Sequence, residues 1–436
     1  MKQSPKNHIL CFLMALGLFP NLIQAQLSWA PAELTNVEEI VARGVLVPIP
    51  IPTKLSNLRY PFLQEDGSVV FIANDHRKPK NEEGRAGIFK FGSNGEVTTI
   101  TSIGEAFVNS SAKVKGVYAL KVEGSRAVFS VMLENGGEGI ALWEHSKVYL
   151  LAATGGVEGL SDFGNPDVSK DIVVFSAKSK DSGRSLYAVN LQNADRTPVA
   201  IVPHGLAIPG QAGLTFQKFA SSQFADGKEA VFRAYANEYS PGNSGAKYAG
   251  VFRVSAFQTE APKKILDSNT PIPGATQGMT FGHYQDSAIP ADGTTIIVNK
   301  TQKLEGIYRL GPDGKIDRIV DTTTTIPDLF DGPFTYFNKW VCNTPPWVLF
   351  IAKAANYFGI FAINWDTQEL YLLADSRMTF DGKKIRDAEI SNSAKVANRV
   401  ALMLMFEDGS SGVYVATFEK GLAMKSSGEK PPSASR

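Results

Sequence analysis

Short runs of β-branched and aromatic residues, each bounded by turn formers, return along this chain about every fifty residues. They read Val69-Val70-Phe71-Ile72-Ala73, Ala127-Val128-Phe129, Val173-Val174-Phe175, Ala230-Val231-Phe232, Thr295-Ile296-Ile297-Val298, Val348-Leu349-Phe350-Ile351 and Val400-Ala401-Leu402-Met403. Apolar residues in succession, without polar alternation, predict strands buried on both faces. Several runs follow an Asp-Gly turn: Asp66-Gly67, Asp226-Gly227 and Asp292-Gly293. Downstream of each run stands a Gly-apolar-aromatic signature: Gly87-Ile88-Phe89, Gly139-Ile140-Ala141-Leu142-Trp143, Ser185-Leu186-Tyr187, Gly250-Val251-Phe252, Gly306-Ile307-Tyr308, Gly359-Ile360-Phe361 and Gly412-Val413-Tyr414. Next come an apolar pair and, seven positions on, an Ile-Pro pair: Ile201-Val202 to Ile208-Pro209, Ile265-Leu266 to Ile272-Pro273, Ile319-Val320 to Ile326-Pro327. A turn and a phenylalanine complete the unit, as in Gly213-Leu214-Thr215-Phe216, Gly278-Met279-Thr280-Phe281 and Gly332-Pro333-Phe334.

Each unit holds four strands, and four strands make one propeller blade. Seven units predict an all-β fold, a seven-bladed β-propeller of four-stranded blades. The last unit stops at Val413-Tyr414-Val415-Ala416-Thr417-Phe418 with no fourth strand behind it, while Ile40-Val41 stands seven positions before Val47-Pro48, in the fourth-strand register. An N-terminal strand near 38–42 is therefore expected to close the last blade and pair its open edge. A local signal competes: Thr35-Asn36-Val37-Glu38 resembles a capping box, and Leu34, Val37 and Val41 before Gly44 would suit a short helix.

The unit as a whole, with its apolar run near an Asp-Gly turn, its Gly-apolar-aromatic strand and its Ile-Pro turn, resembles the tandem-repeat β-propeller family of exported bacterial proteins of unknown function. The resemblance covers most of the chain after its N-terminus. It implies a fold and an exported location, and no activity. That family often carries Asn ahead of the turn Gly and an Ala-Phe ending, from which Gln64-Glu65-Asp66-Gly67 and Val70-Phe71 depart.

Residues 1–25 have another character: Lys2 and Lys6 precede an apolar stretch ending at Ala25, which reads as a signal peptide cleaved before Gln26, with an uncleaved anchor as the alternative. The expected organisation is then a lead-in over 26–37, the propeller over 38–418 and a polar, disordered tail over 419–436. Past the signal segment no apolar run approaches twenty residues, so no membrane span is expected after cleavage. Cys11 lies in that segment, which leaves Cys342 alone and without a disulfide partner. The formal charge is +1, from 44 basic and 43 acidic residues, and gives no footprint for nucleic acid. The protein is expected to be a periplasmic or secreted monomer.

Candidate chemistry is sparse. His76, His145, His204 and His283 show no metal-ligand spacing, and no pattern calls for a metal or cofactor. Ser179-Lys180-Asp181-Ser182-Gly183-Arg184-Ser185 resembles the Asp-box of sialidase-type propellers but falls between the second and third strands, so it reads as a turn. Function is expected on the side where second-to-third-strand loops and blade crossovers emerge. Two long loops stand out there, both expected to lie outside the blades: residues 75–85, with Asp75, His76, Arg77 and Arg85, and residues 235–248, with Tyr235, Asn237, Glu238 and Tyr239. Tyrosine rings beside amide and carboxylate groups suit a sugar or apolar ligand. The leading expectation is a non-catalytic binding or interaction module for a protein or glycan of the cell envelope or exterior. The alternative is a propeller enzyme, a glycoside hydrolase or lyase acting on an extracellular polysaccharide. That would require paired carboxylates, or a carboxylate with Tyr or His, gathered over the channel.

Overall fold

The computed structural model describes residues 29–418 except 32–33, 43–45, 48–52, 76–86, 93–95, 157–158, 237–247, 258–259, 276–277, 283–284, 292, 301–303, 327–331, 355–356, 381, 392–394 and 397–398. Seven antiparallel sheets follow one another along the chain and pack as the blades of a ring. The first six run, from inner to outer strand, Thr53–Leu63, Val69–Asp75, Gly87–Phe91 and Val97–Ser102; Ser110–Glu123, Arg126–Leu133, Glu138–Glu144 and Lys147–Ala153; Asp167–Ser169, Ile172–Ser179, Arg184–Asn190 and Val199–Val202; Phe216–Asp226, Glu229–Ala236, Tyr248–Ser255 and Lys263–Asp267; Gln285–Ala291, Thr294–Lys300, Glu305–Leu310 and Ile316–Asp321; Phe334–Thr344, Trp347–Ala354, Tyr357–Asn364 and Leu370–Asp375. Blade 7 contains Lys383–Glu389, Arg399–Phe406 and Ser411–Phe418, and its outer strand is the N-terminal Leu34–Ala42.

That strand pairs antiparallel with Ser411–Phe418, setting Glu38 opposite Val415 and Ala42 opposite Gly412. The local helix signal loses because a helix would leave the N–H and C=O groups of Ser411–Phe418 as a bare edge, which a strand satisfies. It begins at Leu34, so part of the stretch read from sequence as a lead-in belongs to the ring. A feature with no precursor in the sequence reading precedes it: Trp29–Pro31 lies parallel to Leu370–Asp375, outside blade 6. The N-terminal segment thus fastens two blades.

The signature glycines have a structural cause. In six blades the third and outer strands slip register at the residue pair Ile88/Phe89, Ile140/Ala141, Leu186/Tyr187, Val251/Phe252, Ile307/Tyr308 or Ile360/Phe361. Each slip is a β-bulge that brings the outer backbone close to the third strand. A Cβ on Gly306 would lie 2.6 Å from the Asp321 Cβ and 2.8 Å from the Val320 carbonyl oxygen, a separation only glycine permits. Blade 3 has Ser185 at this place, and its Oγ accepts the His204 N–H at 2.9 Å.

The Ile-Pro and Phe elements form the crossovers. Ile208, Ile272 and Ile326 are buried, and the following Phe packs edge-on against the signature aromatic: Phe216 on Phe252 at 4.9 Å, Phe281 on Tyr308 at 5.1 Å and Phe334 on Phe361 at 5.2 Å. Such edge-to-face pairs fix how each crossover enters its own blade. Buried apolar residues collect between successive blades, with Ile172 and Val174 of blade 3 against Phe232 of blade 4 and Met403 of blade 7 against Phe71 of blade 1. The core is therefore a ring of layers around a central channel.

Candidate functional site

Among the residues expected to bind ligand, Tyr235 is described in full and Asp75 through its backbone, as the last residue of Val69–Asp75. Asn237, Glu238, Tyr239, His76, Arg77 and Arg85 lie outside the described residues, as does His283. Tyr235 belongs to the strand Glu229–Ala236 and not to the loop, is 8% exposed and packs with Ala220 and Ala249. The strand continues two residues past the boundary read from sequence, through Tyr235 and Ala236, and takes the ring into the blade. His145 sits in the hairpin turn between Glu138–Glu144 and Lys147–Ala153, and the His204 ring lies against Gly183.

The repeat brings together residues that lie far apart in sequence. In each blade the second-strand residue facing the signature Gly or Ser is followed by one position at the long-loop rim. That position holds Lys178 in blade 3, Tyr235 in blade 4, Lys300 in blade 5 and Lys353 in blade 6. Lys218 of the inner strand stands opposite Tyr235, and Tyr336 opposite Lys353, the same pair with its strands exchanged. Tyr336 is 37% exposed, and two ammonium groups converge on its ring: Lys300 Nζ at 4.1 Å and Lys353 Nζ at 5.7 Å from the ring centre. Arg233 adds a guanidinium 5.8 Å from the Tyr235 ring centre, its Nε buried without a hydrogen-bond partner. Glu305, across from Lys300, accepts the Phe337 N–H at 3.1 Å. The rim of blades 3 to 6 is an arc of cations and tyrosines.

Blades 2 and 3 carry a different group on the same side. The Tyr118 hydroxyl donates to Glu138 Oε2 at 3.3 Å, and burial, reinforced by the charges of Glu138 and Asp162, pushes that phenol well above the ordinary tyrosine range. Asp162 pairs with Arg184 at 2.5 Å, while Arg184 donates to Ser176 Oγ at 3.0 Å.

Toward the tight-turn end Lys121 of blade 2 reaches past blade 3, its Nζ 5.2 Å from the centre of the Phe224 ring of blade 4. Lys121 is half-buried by surface area, yet its ammonium is enclosed: burial lowers its pKa, and the charges of Asp167 and of the buried Cys342 oppose that shift. Asp167 of blade 3 is driven the other way. Burial pushes its carboxyl up to about 6 against the field of Lys121 and the N–H groups of Ala225 and Val168, and Glu123 adds to the rise. Its Oδ2 accepts the Ala225 N–H at 3.0 Å, tying blade 3 to blade 4.

On the tight-turn side, blades 2 and 3 are joined by the Glu144 carboxylate, 4% exposed. It pairs with Arg126 at 3.3 Å and with Arg196, and Arg126 also reaches Asp171 at 3.3 Å. A cavity of about 420 Å³ lies beside this seam, lined by Asn109, Tyr149, Leu151, Gln192 and Arg196 among others. Asn109 donates to the Leu150 carbonyl and accepts the Leu150 N–H, both at 2.9 Å, and the Arg196 guanidinium lies 5.1 Å from the Tyr149 ring centre. Among the described residues no three His, Cys, Asp or Glu side chains gather as a metal site would.

The ring of seven sheets, each built on four main strands, defines the protein as a β-propeller. The chain belongs to the DUF7453 family, a family of unknown function, whose profile matches residues 24–359. No curated protein matches the sequence. Among solved structures, the β-propeller domain of the Trilobed protease from Pyrococcus furiosus superposes with a TM-score of 0.50 at 10% identity, over 83% of this chain and 96% of that one. Pyrococcus horikoshii acylaminoacyl peptidase gives a TM-score of 0.48 at 10% identity over 83% and 51%, and prolyl oligopeptidase B from Galerina marginata 0.48 at 9% over 80% and 47%. The chain spans about half the length of these two peptidases. At such identities the likeness shows the fold alone.

Proposed function

We propose that the protein is an exported, non-catalytic binding module of the cell envelope or exterior that takes a protein or glycan ligand on its long-loop rim. The exposed Tyr336 ring, with Lys300 and Lys353 directed onto it from two blades, is the observation that carries this reading. An aromatic body with a polar tip, fixed on strands and flanked by cations, is a preorganised contact surface. Export rests on the lysines and apolar run of residues 1–25. Screening of the purified protein against envelope glycans and a cell-surface lysate tests the module. Ligand capture is expected, reduced about tenfold or more by Tyr336→Ala in a folded chain, and capture unaffected by that change would move the site elsewhere.

A second reading has one observation in its favour. Tyr118 and Glu138, hydrogen-bonded beside Asp162 and Arg184, join a phenol to a carboxylate on the long-loop side of blade 2. A glycoside hydrolase or lyase acting on an extracellular polysaccharide would use such a pair for proton transfer. Turnover of a polysaccharide that Tyr118→Phe abolishes would establish it; absence of turnover with intact ligand capture leaves the binding module.

A further inference from the structure

The cavity beside the seam of blades 2 and 3 has the parts of a small-ligand site. Its volume, about 420 Å³, falls in the range of such sites. The floor is apolar: Leu151 and Leu191, 8% and 5% exposed, end the core layer between the two blades. The walls are polar and held from behind. Arg196, tied to Glu144, lies over the Tyr149 ring. Gln192 donates to Asp171 at 2.8 Å, and Asp171 is itself held by Arg126. The turn that presents Gln192 and Asn193 is fixed by the Asn190 side chain, which accepts the Gln192 N–H at 2.9 Å. Several polar groups of the walls are left unused by the fold. Among the described residues the Tyr149 hydroxyl and the Asn193 carboxamide make no hydrogen bond, and Asp195 accepts only the Thr197 hydroxyl, at 3.3 Å.

We infer that this cavity is a sugar site, taking a neutral mono- or disaccharide with its C–H face on Leu151 and Leu191 and its hydroxyls on Tyr149, Gln192, Asn193 and Asp195. The inference goes beyond the binding-module reading and does not rest on it, because the cavity lies on the opposite side of the ring from Tyr336. A hydroxyl both donates and accepts, which suits a wall of one phenol, two carboxamides and a carboxylate. Charge selects against anions: Glu144 answers Arg196, so the exposed Asp195 is left to repel a uronate, sulfate or phosphate. An apolar ligand would cover those polar groups without giving them partners, at a cost for each. A flat aromatic ligand would stack on Tyr149, where the Arg196 guanidinium already lies 5.1 Å from the ring centre.

The full chain should be titrated by calorimetry with glucose, galactose, mannose, N-acetylglucosamine and the disaccharides of each, beside glucuronate and a sugar phosphate as charged probes. Hydrogen exchange should then be followed with and without the tightest sugar. A neutral sugar should bind and slow exchange at 149–151 and 190–196, the segments that line the cavity. The Tyr149→Phe/Asn193→Ala double variant removes only groups that bond nothing within the protein, so it should unfold at the parent's temperature and bind about tenfold or more weakly. Ala194→Trp, which fills the cavity from its exposed wall, should abolish binding, and Tyr336→Ala should leave it unchanged. Failure of every neutral sugar, equal or tighter binding of the charged probes, protection elsewhere in the chain, or unchanged affinity in the folded double variant would each overturn the sugar site. Sugar binding lost in Tyr336→Ala and kept in the double variant would overturn the cavity while supporting the rim. Glycan or protein capture that ignores Tyr336, with sugar protection still at 190–196, would instead remove the rim and leave the cavity standing.

Discussion

The two rims of the ring use charge in opposite ways. On the tight-turn rim of blades 2 and 3 the Glu144 carboxylate is buried between Arg126 and Arg196, and Arg126 continues to Asp171, so each charge is answered inside the protein. On the long-loop rim of blades 5 and 6 two lysines point at one half-exposed tyrosine. The first arrangement seals a seam between blades. The second holds charge where a ligand could meet it, and a fold of repeated units has room for both because each blade contributes one face to stability and the other to the surroundings.

The contrast is sharpest where removing a charge costs folding. Glu144→Gln should destabilise the chain by about 3 kcal/mol, since it leaves the Arg196 guanidinium facing Arg126 with their shared carboxylate gone and only Arg126 still paired, to Asp171; urea unfolding measures this, and a loss under about 1 kcal/mol would show that the seam holds without its carboxylate. Asp167 comes next, as a buried group answered only in part. Its carboxyl ionises near 6 in the folded chain against an ordinary 3.8, so the folded state keeps a proton the unfolded chain has lost, and stability should fall as pH rises from about 4 to about 6. Asp167→Asn should remove that slope, on the order of 1–3 kcal/mol across the window. Asp267 and Asp317 work the other way: burial raises the first and hydrogen bonding by Lys315 lowers the second, but both end below 3.8, so their contribution is present above that pH and lost below it. A slope that persists in Asp167→Asn would place the titration on other groups. The smallest change in folding is expected at the long-loop rim: Lys353→Gln should alter stability by under about 0.5 kcal/mol while weakening ligand capture. If it costs as much as Glu144→Gln, that rim is a seam as well.

Much of the architecture was legible because the repeat is written in residues with one structural use. The Gly of Gly306-Ile307-Tyr308 marks a bulge that admits no Cβ, and Phe216, Phe281 and Phe334 mark crossovers by packing on the signature aromatic. The closing strand was found from register alone, against a helix signal that is purely local. Trp29–Pro31 escaped because a three-residue parallel pairing carries no periodicity to read. The buried Asp267, Asp321 and Asp375 escaped for a different reason. Each ends an outer strand and accepts an N–H two residues on, at 3.0, 2.8 and 2.8 Å, yet a single Asp in a sequence resembles any other turn former. The rim was the least visible. Its lysines are separated by about a blade or more in sequence, and only by carrying the repeat one residue past Ala177, Asn299 and Ala352 do they line up as a column. Tyr235 was misplaced by the same boundary, which cut the strand short of its last residues.

Fastening the ring with Leu34–Ala42 against Ser411–Phe418 joins an early part of the chain to its last described strand. Contacts of such separation form slowly, because most of the chain must be ordered before its ends can meet. A ribosome making this protein releases the closing strand long before the strand that receives it exists, so blade 7 can be assembled only after synthesis has passed Phe418. A chain that must wait in this way stays threadable for the whole time it is being made.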